Sequence, residues 1–210
     1  MSRVSPGAAS AELAHRDAVI ARLVAEVGPC RLRRDGLDHF GALARSIVYQ
    51  QLAGKAAAAI HGRFESLFDG PPTAESVLAL PESALRGVGL SASKTASILD
   101  LAAKVQSGAV VLDRIARLPD ERIIERLVTI RGIGRWTAEM FLIFQLGRID
   151  VWPVDDFGVR AGYAVAYGLP EPPTPRVLAP LGEAFRPYRS VAAWYCWRAI
   201  ELSRIKPRIT

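Results

Sequence analysis

The stretch that decides the fold is Leu127-Val-Thr-Ile-Arg-Gly-Ile-Gly-Arg-Trp-Thr-Ala-Glu-Met-Phe-Leu-Ile-Phe144. A polar helical pattern from Asp120 to Thr129 leads into Gly132-Ile133-Gly134, and an almost wholly apolar helical pattern follows. Glycine tolerates positive φ and close backbone approach, so two glycines around one apolar residue allow a very tight turn. The pattern therefore predicts a helical hairpin whose second helix is buried.

The turn of this hairpin is a candidate anion site. A helix that opens after Gly134 directs its free backbone N–H groups outward at its positive end. An ordinary corner between two helices is the alternative. The spacing of Leu127, Ile130 and Ile133 suits the inside of one hairpin and favours the first interpretation. The segment resembles the helix-hairpin-helix motif, which grips DNA phosphates.

Composition and charge fit a nucleic-acid partner without proving one. The chain has 210 residues, of which 50% are hydrophobic, so it is long and apolar enough for one large core or two small lobes. Its net charge is +6 and its pI is about 9.7, which suits a polyanion. Most of its 27 cationic residues are arginines, which favour forked contacts to phosphate.

Cysteine usage and the lack of long apolar runs predict a cytoplasmic protein. Cys30 and Cys196 lie far apart, so neither a disulfide framework nor a four-cysteine cluster can form within the chain. No run approaches the roughly 20 apolar residues of a membrane span. The first residues lack the apolar centre of a signal peptide.

The rest of the chain reads as helices joined by short breaks. A first helix is predicted from an N-cap at Ser10 to Val27, where Gly28-Pro29 stops it. Phe40 to Phe68 is a long helical region broken near Gln50-Gln51, and the last stretch, Arg176 to Arg204, is also helical. No convincing alternating pattern of a strand is present, which predicts an all-α class.

Two of these breaks carry candidate binding residues. Gln50 and Gln51 either form a polar helix face or expose two amides that contact bases or fill a gap in a duplex. Upstream of the main hairpin, Gly87-Val88-Gly89 precedes Ser91 and Lys94. This second corner is either a plain connection or a second phosphate contact.

Asp155 and Asp156 form the candidate chemical site. Both stand at a predicted helix start after Pro153, where N-capping is the simple interpretation. The helix from Trp136 to Gln145 is about 15 Å long at ~1.5 Å per residue. The loop that follows it can span up to ~26 Å, so the aspartates can return to the hairpin. A carboxylate beside a phosphate site is electrostatically unfavourable, which points to function.

Taken together, these motifs resemble the helix-hairpin-helix/Gly-Pro-Asp superfamily of DNA base-excision glycosylases. Arg131 to Ala138 and Asp150 to Asp155 are most similar to the DNA-3-methyladenine glycosylase II branch, and the likeness spans roughly residues 37–200. It implies a two-lobed all-α fold with a DNA-binding cleft between the lobes. The expected division is an N-terminal helix and arm (residues 1–40) that packs with the C-terminal lobe (151–210), and a lobe that contains the hairpin (41–150).

The resemblance also implies roles for individual residues. Asp155 falls on the catalytic aspartate, with Asp156 as the runner-up. Gln51 matches the residue that wedges into the duplex. The expected base pocket consists of Trp136, Met140, Asp156, Trp197 and Tyr49. The expected DNA contacts are Gln50, Gln51, Arg131, Gly132, Ile133, Gly134, Arg135, Thr137, Ser91 and Lys94. The carbonyl groups of Val128, Ile130 and Gly132 match the ligands of a monovalent cation.

The implied reaction is monofunctional hydrolysis of the N-glycosidic bond of an alkylated base after base flipping. Trp136 stands where lyase-competent members carry a lysine. Met140 and Asp156 replace tyrosines of well-known alkylation-specific members, which leaves the substrate range open.

No iron–sulfur cluster and no other cofactor are expected, apart from sodium or potassium at the hairpin. The expected partner of this monomer is duplex DNA with damaged bases, not a membrane. The alternatives are removal of other damaged or mispaired bases, or a non-enzymatic DNA-binding module.

Overall fold

The computed structural model describes residues 4–34 and 36–205. Regular structure in these ranges is entirely helical, without a β-strand, which confirms the all-α prediction. The α-helices are α1 (Pro6–Arg16), α2 (Ala18–Val27), α3 (His39–Tyr49), α4 (Gly54–Glu65), α5 (Ala74–Leu78), α6 (Glu82–Gly87), α7 (Ala92–Gln106), α8 (Asp120–Leu127), α9 (Arg135–Met140), α10 (Phe157–Tyr167), α11 (Pro175–Leu181) and α12 (Arg189–Ile205). A π-helical turn, Phe141–Gln145, follows α9. Within the described ranges, no helix has the length and apolar character that a bilayer crossing requires.

The chain divides into two compact units. One unit joins the chain up to Arg34 with the chain from Leu142 onward, and the other ends at Phe141. The divisions therefore fall at 34 and 141, whereas the sequence suggested 40 and 150. The second division lies inside the buried helical segment, between Phe141 and Leu142. Phe141 contacts His39 in one unit, and Phe144 stacks on Trp197 in the other.

The core of the hairpin-containing unit is built on α3 and α7, which pack against each other. The predicted apolar face of α3, made of Leu43, Ile47 and Val48, is completely buried. The predicted interruption near Gln50 is confirmed, since α3 ends at Tyr49 and α4 begins at Gly54.

The other unit is centred on the packing of α10 against α12. Gly162 makes this close approach possible, because a Cβ atom there would collide with the backbone carbonyl of Cys196. Fully buried Val159, Tyr195 and Cys196 fill the space around this contact. The N-terminus of α10, which carries the aspartate pair, is therefore held rigidly against α12.

The prediction of one long N-terminal helix capped by Ser10 is wrong. Ser5 caps α1, and Asp17 interrupts the helix by accepting hydrogen bonds from the N–H groups of Val19 and Ile20, both at 2.9 Å. Ser10 is instead a buried helical residue. The apolar spacing continues through the break, so periodicity alone could not locate the cap.

The last stretch is also less continuous than predicted. α11 ends at Leu181, a 3-10 turn covers Gly182–Phe185, and α12 starts only at Arg189. Pro187 lies in this gap and has no N–H to donate to a helical ladder.

Candidate active site

The hairpin between α8 and α9 has the predicted geometry. Gly132 has a φ of +78°, and a Cβ atom there would lie 2.6 Å from the Ser97 hydroxyl oxygen on α7. The side chains of Leu127, Ile130 and Ile133 are buried, as their spacing predicted. A side chain at position 132 is therefore excluded both by backbone conformation and by space.

The backbone at the start of α9, next to the hairpin turn, is exposed. Gly134 is the N-cap, and no side chain caps the helix. N–H groups at a helix start that no side chain caps can bind anions, and the helix dipole favours this. This backbone arrangement suits a phosphate group.

Asp100 on α7 fixes the shape of the hairpin, and it was not among the residues predicted from the sequence. Asp100 Oδ2 accepts hydrogen bonds from Arg131 N–H (2.7 Å) and from Lys104 Nζ (2.6 Å). Lys104 Nζ also donates to the carbonyl of Thr129 at 2.6 Å. Partial burial opposes ionisation of Asp100, but the bonds from Arg131 and Lys104 outweigh it and lower the pKa of its carboxyl. The sequence signal, an acidic residue four positions before a lysine, indicates only an ordinary helical ion pair.

We expect Asp100→Ala to weaken duplex DNA binding by about 3- to 10-fold, since the loss of a hydrogen bond to a charged group costs on the order of 1 kcal/mol or more. Removing a negative charge should by itself strengthen DNA binding, so a loss of affinity identifies the structural role. Binding titrations at fixed salt measure the effect.

Glu125→Ala is the matched control, because Glu125 pairs with Arg122 on the surface of α8 at 2.6 Å. Unchanged or tighter binding is expected for this variant.

The lowered pKa of Asp100 means that its bonds persist above its ordinary pKa and are lost only as the pH falls through the lowered value. The difference between Asp100→Ala and the wild type should therefore be constant from about pH 5 upward. Equal affinity of Asp100→Ala and the wild type would contradict this role.

The two glutamines occupy different environments. Gln50 Nε2 donates to the carbonyl of Gly132 at 2.8 Å and so connects the α3–α4 break to the hairpin. Gln51 is exposed and has a φ of +55°, the only positive φ of a non-glycine residue in residues 4–34 and 36–205. Such strain tends to occur at functional sites. The wedge role that the resemblance implies for Gln51 stays a prediction.

The remaining candidate contacts on the hairpin differ in their availability. Arg135 forms a forked pair with Glu121 (2.6 and 3.1 Å) and bonds Glu139 Oε1 at 3.1 Å, so its guanidinium already has acidic partners. Arg131 is exposed and Thr137 is buried. The side chain of Arg131 is thus better placed for a phosphate than that of Arg135.

The second corner is organised as a structural joint. Ser91 caps α7 by accepting from Lys94 N–H at 3.3 Å. The ammonium of Lys94 donates to the carbonyl of Val48 at 2.8 Å, and its burial lowers its pKa. These contacts favour the plain-connection interpretation of this corner.

Three predicted pocket residues lie in the hairpin-containing unit. Trp136 is 43% exposed near the start of α9, and half-buried Met140 is the last residue of that helix. Half-buried Tyr49 contacts the edge of His61, and the Arg45 guanidinium lies 5.0 Å from the centroid of its ring. Of the three, Trp136 offers the most accessible aromatic surface.

The three carbonyl groups predicted to hold a cation are close in sequence to the turn. The carbonyl of Ile130 accepts from Ile133 N–H at 3.1 Å, and that of Gly132 accepts from Gln50. Val128 is the C-cap residue that follows α8. Since a carbonyl oxygen has two lone pairs, these bonds leave room for a cation ligand at Ile130 and Gly132.

The structure separates the two aspartates. Asp156 is only 9% exposed and caps α10, accepting from Val159 N–H at 2.7 Å. Its Oδ1 also accepts from Trp197 Nε1 at 2.9 Å. Asp155 is exposed and precedes the cap. The capping interpretation therefore accounts for Asp156 but not for Asp155.

Phe157, which the sequence did not single out, follows this pair at the start of α10 and is 65% exposed. The guanidinium of Arg160 lies 5.5 Å from the centroid of its ring. Nothing in an isolated apolar residue at a helix start could have indicated its exposure.

Cys30 and Cys196 are free thiols, and both are buried. Burial raises the pKa of the Cys30 thiol to about 11 and also raises the pKa of Cys196. Neither thiol is thus a ready nucleophile, because the thiolate is the reactive form.

Comparison with known proteins identifies the relatives of this chain. The profile of the family described as "HhH-GPD superfamily base excision DNA repair protein" matches residues 44–187. DNA-3-methyladenine glycosylase 1 of Schizosaccharomyces pombe is 40% identical over 187 residues, which represent 87% of this chain and 82% of that protein. The 3-methyladenine DNA glycosylase of the same yeast, solved in complex with abasic DNA, superposes with a TM-score of 0.84 at 37% identity and covers 96% of this chain and 99% of its own. A DNA-3-methyladenine glycosidase from Bacillus halodurans gives a TM-score of 0.85 at 34% identity, covering 98% and 94%.

Proposed function

The chain belongs to the helix-hairpin-helix/Gly-Pro-Asp superfamily of base excision DNA repair proteins, and from this premise we propose that it is a DNA-3-methyladenine glycosylase. It removes alkylated bases from duplex DNA by hydrolysing the N-glycosidic bond. The observation that carries the catalytic part is the exposed carboxylate of Asp155, which the capping role of its neighbour Asp156 leaves available.

DNA binding starts at the hairpin. The uncapped N–H groups of α9 and the exposed side chain of Arg131 bind backbone phosphates, and the net charge of +6 favours association with a polyanion. Gln51 enters the duplex where the damaged nucleotide leaves the stack. Flipping costs a few kcal/mol and is least costly for a damaged pair.

The flipped base stacks on aromatic side chains, for which Trp136 and Trp197 are the candidates, with Tyr49 and Met140 as further parts of the pocket. Stacking contributes roughly 1–3 kcal/mol per base. A base with a positive charge gains further from cation–π attraction.

The chemistry centres on Asp155. The bond between C1′ and the base nitrogen breaks, and the base leaves with the electron pair, which neutralises its positive charge. Asp155 stabilises the oxocarbenium-like sugar, and water then bonds to C1′ while its proton passes to the carboxylate. Because a cationic base leaves readily, this scheme needs no strong acid to protonate it.

Release of bases from methylated duplex DNA tests the proposal. We expect 3-methyladenine in the released fraction, identified by chromatography. DNA binding without release of any base would support the non-enzymatic alternative, and release confined to oxidised or mispaired bases would support a different glycosylase specificity.

We expect the enzyme to leave an intact abasic strand, because Trp136 cannot form the Schiff base that a lyase requires. Among the lysines, Lys94 and Lys104 already donate to backbone carbonyls. Borohydride added during turnover should trap no protein–DNA adduct, and strand cleavage should need hot alkali. Efficient trapping, at a level comparable to a lysine-containing lyase run in parallel, would show this expectation to be wrong.

The proposal also covers the bound cation, the oligomeric state and the cellular location. Carbonyl groups of Val128, Ile130 and Gly132 would hold sodium or potassium, whose positive charge would favour a phosphate at the hairpin, and we expect no iron or other cofactor in the reaction. Elemental analysis of the purified active protein tests this. The protein acts as a monomer in the cytoplasm, where the buried thiols of Cys30 and Cys196 remain reduced.

A further inference from the structure

The loop that leads from the buried helical segment to α10 is bonded to the start of α12. The carbonyl of Ile149 accepts from Ser190 N–H at 3.0 Å. Val151 N–H donates to the Ser190 hydroxyl oxygen at 2.9 Å, and this hydroxyl donates to the Val151 carbonyl at 3.3 Å. The first N–H groups of a helix have no acceptor inside the helix, so the loop supplies part of the cap of α12.

Asp150 is the charged centre of this anchor. Its Oδ1 accepts from Arg189 Nε at 2.8 Å and from Arg189 N–H at 3.3 Å, while its backbone carbonyl accepts from Arg189 Nη2 at 2.8 Å. Arg186 adds a bond from Nη1 to Oδ2 at 3.0 Å, but its side chain is 49% exposed. The Arg189 side chain is only 18% exposed, so water screens its pair with Asp150 less than it screens a surface ion pair.

The residues that follow Asp150 transmit this anchor to α10. Trp152 is buried, and its Nε1 donates to the carbonyl of Leu178 at 3.0 Å. Asp156 N–H then donates to the carbonyl of Pro153 at 3.0 Å, so a tight turn joins the anchored loop directly to the helix start. A shift at Asp150 therefore reaches the aspartate pair, because little free backbone lies between them.

We propose that Asp150 is a positioning residue for the glycosylase reaction. Its contacts with Arg189 fix the loop on α12 and so hold the aspartate pair at the start of α10 at the correct distance from the sugar. In this role Asp150 acts through the loop and contacts neither the sugar nor the base. The inference rests on the proposed glycosylase function.

Asp150→Asn tests the proposal, because asparagine has the same shape but lacks the charge and the second carboxylate oxygen that bind the arginine fork. Single-turnover release of 3-methyladenine from methylated duplex DNA should fall about 10- to 100-fold, since a misplacement of about 1 Å can cost about 10²-fold in rate. The dissociation constant for duplex DNA should change less than about twofold, because the variant affects the reacting geometry.

Arg189→Lys alters the other side of the contact, because lysine keeps the charge but cannot form the fork. Its base release should fall to a similar extent, and the double variant should be no more than about twofold slower than the slower single variant. Losses that multiply in the double variant would contradict a shared role. Should Asp150→Asn fail to fold, Ser190→Ala takes its place, since it removes only the two bonds to Val151.

The ratio of released bases distinguishes positioning from damage to the base pocket. The deoxyribose is the same whichever base leaves, so a displaced carboxylate should slow the release of 3-methyladenine and of 7-methylguanine by the same factor. A distorted pocket would change their ratio. Such a change in Asp150→Asn would overturn the assigned role.

Two controls separate positioning from charge and from stability. Glu183→Gln removes an acid that bonds Arg186 at 2.8 Å and lies 3.6 Å from Arg189, and these contacts do not involve the loop. Asp17→Ala removes the cap of α2 and the bond from the Tyr167 hydroxyl at 2.9 Å, so it lowers stability in the same unit. Below their melting temperatures, both variants should release bases within about twofold of the wild-type rate.

The outcomes separate this inference from the proposed function. If the wild type releases no alkylated base, the proposed function fails. If it does, but Asp150→Asn releases bases at the wild-type rate, only the present inference fails. Equal slowing by Asp17→Ala at a comparable loss of melting temperature would also overturn it, because the effect would then reflect general destabilisation.

Discussion

Asp155→Asn is expected to remain folded, to bind duplex DNA and to release alkylated bases about 10²–10³ times more slowly than the wild type. Asparagine has nearly the same shape as aspartate but cannot stabilise a positive sugar or accept the proton of water. Its DNA affinity should be equal to or higher than that of the wild type, because a negative charge near phosphate is removed. Single-turnover release and binding titrations measure the two effects separately.

In the structure, the cap of α10 does not depend on Asp155, so effects on chemistry and on stability can be told apart. The capping bond of α10 belongs to Asp156, which accepts from Val159 N–H, so a change at exposed Asp155 does not remove a cap. We therefore expect no measurable change in thermal unfolding for Asp155→Asn. A loss of activity then reports on chemistry and not on stability.

Asp156→Asn is the internal comparison, and its release of alkylated bases should fall far less than that of Asp155→Asn. Near wild-type release by Asp155→Asn together with an inactive Asp156→Asn would show that the catalytic position is one residue later. Normal release by both variants would contradict the proposed mechanism as a whole.

Local backbone chemistry made several elements predictable from the sequence. Gly28 ends α2 with a φ of +80°, and Gly132 forms the hairpin turn with a φ of +78°, because these conformations suit glycine. The helix break after Tyr49 was also visible as a polar pair between two apolar patterns. Each of these features is specified within a few residues.

Contacts between distant residues were not predictable in this way. Asp100 bonds Arg131 across 31 positions, Gln50 bonds Gly132 across 82, and Asp156 bonds Trp197 across 41. A single sequence contains no periodic signal for such pairs, since their meeting depends on the packing of whole helices. The same limitation left the environments of Asp155 and Asp156 indistinguishable in the sequence, because the bond from Trp197 to Asp156 joins distant residues.

Gly132→Ala is expected to have the second large effect, on both stability and DNA binding. Alanine at a φ of +78° is strained, and its Cβ would lie 2.6 Å from the Ser97 hydroxyl oxygen. Backbone strain alone costs about 1–3 kcal/mol, which corresponds to roughly 2–4 °C in melting temperature per kcal/mol for a chain of this size. Since the positive φ already strains alanine here, we expect the hairpin to shift with Ser97 to admit the methyl group. Its N–H groups then move away from the phosphate, and duplex affinity should fall at least about 10-fold.

Gly108→Ala separates strain from collision, because Gly108 has a φ of +75° but a Cβ atom there meets open space. This variant should lose stability through strain and keep its affinity for DNA. Adding Ser97→Ala to Gly132→Ala removes the closest contact and should restore part of the lost stability, while the strain of a positive φ remains. If Gly132→Ala binds duplex DNA as tightly as Gly108→Ala does, the shape of this turn does not govern phosphate binding, and the DNA contact has to be sought on another part of the protein.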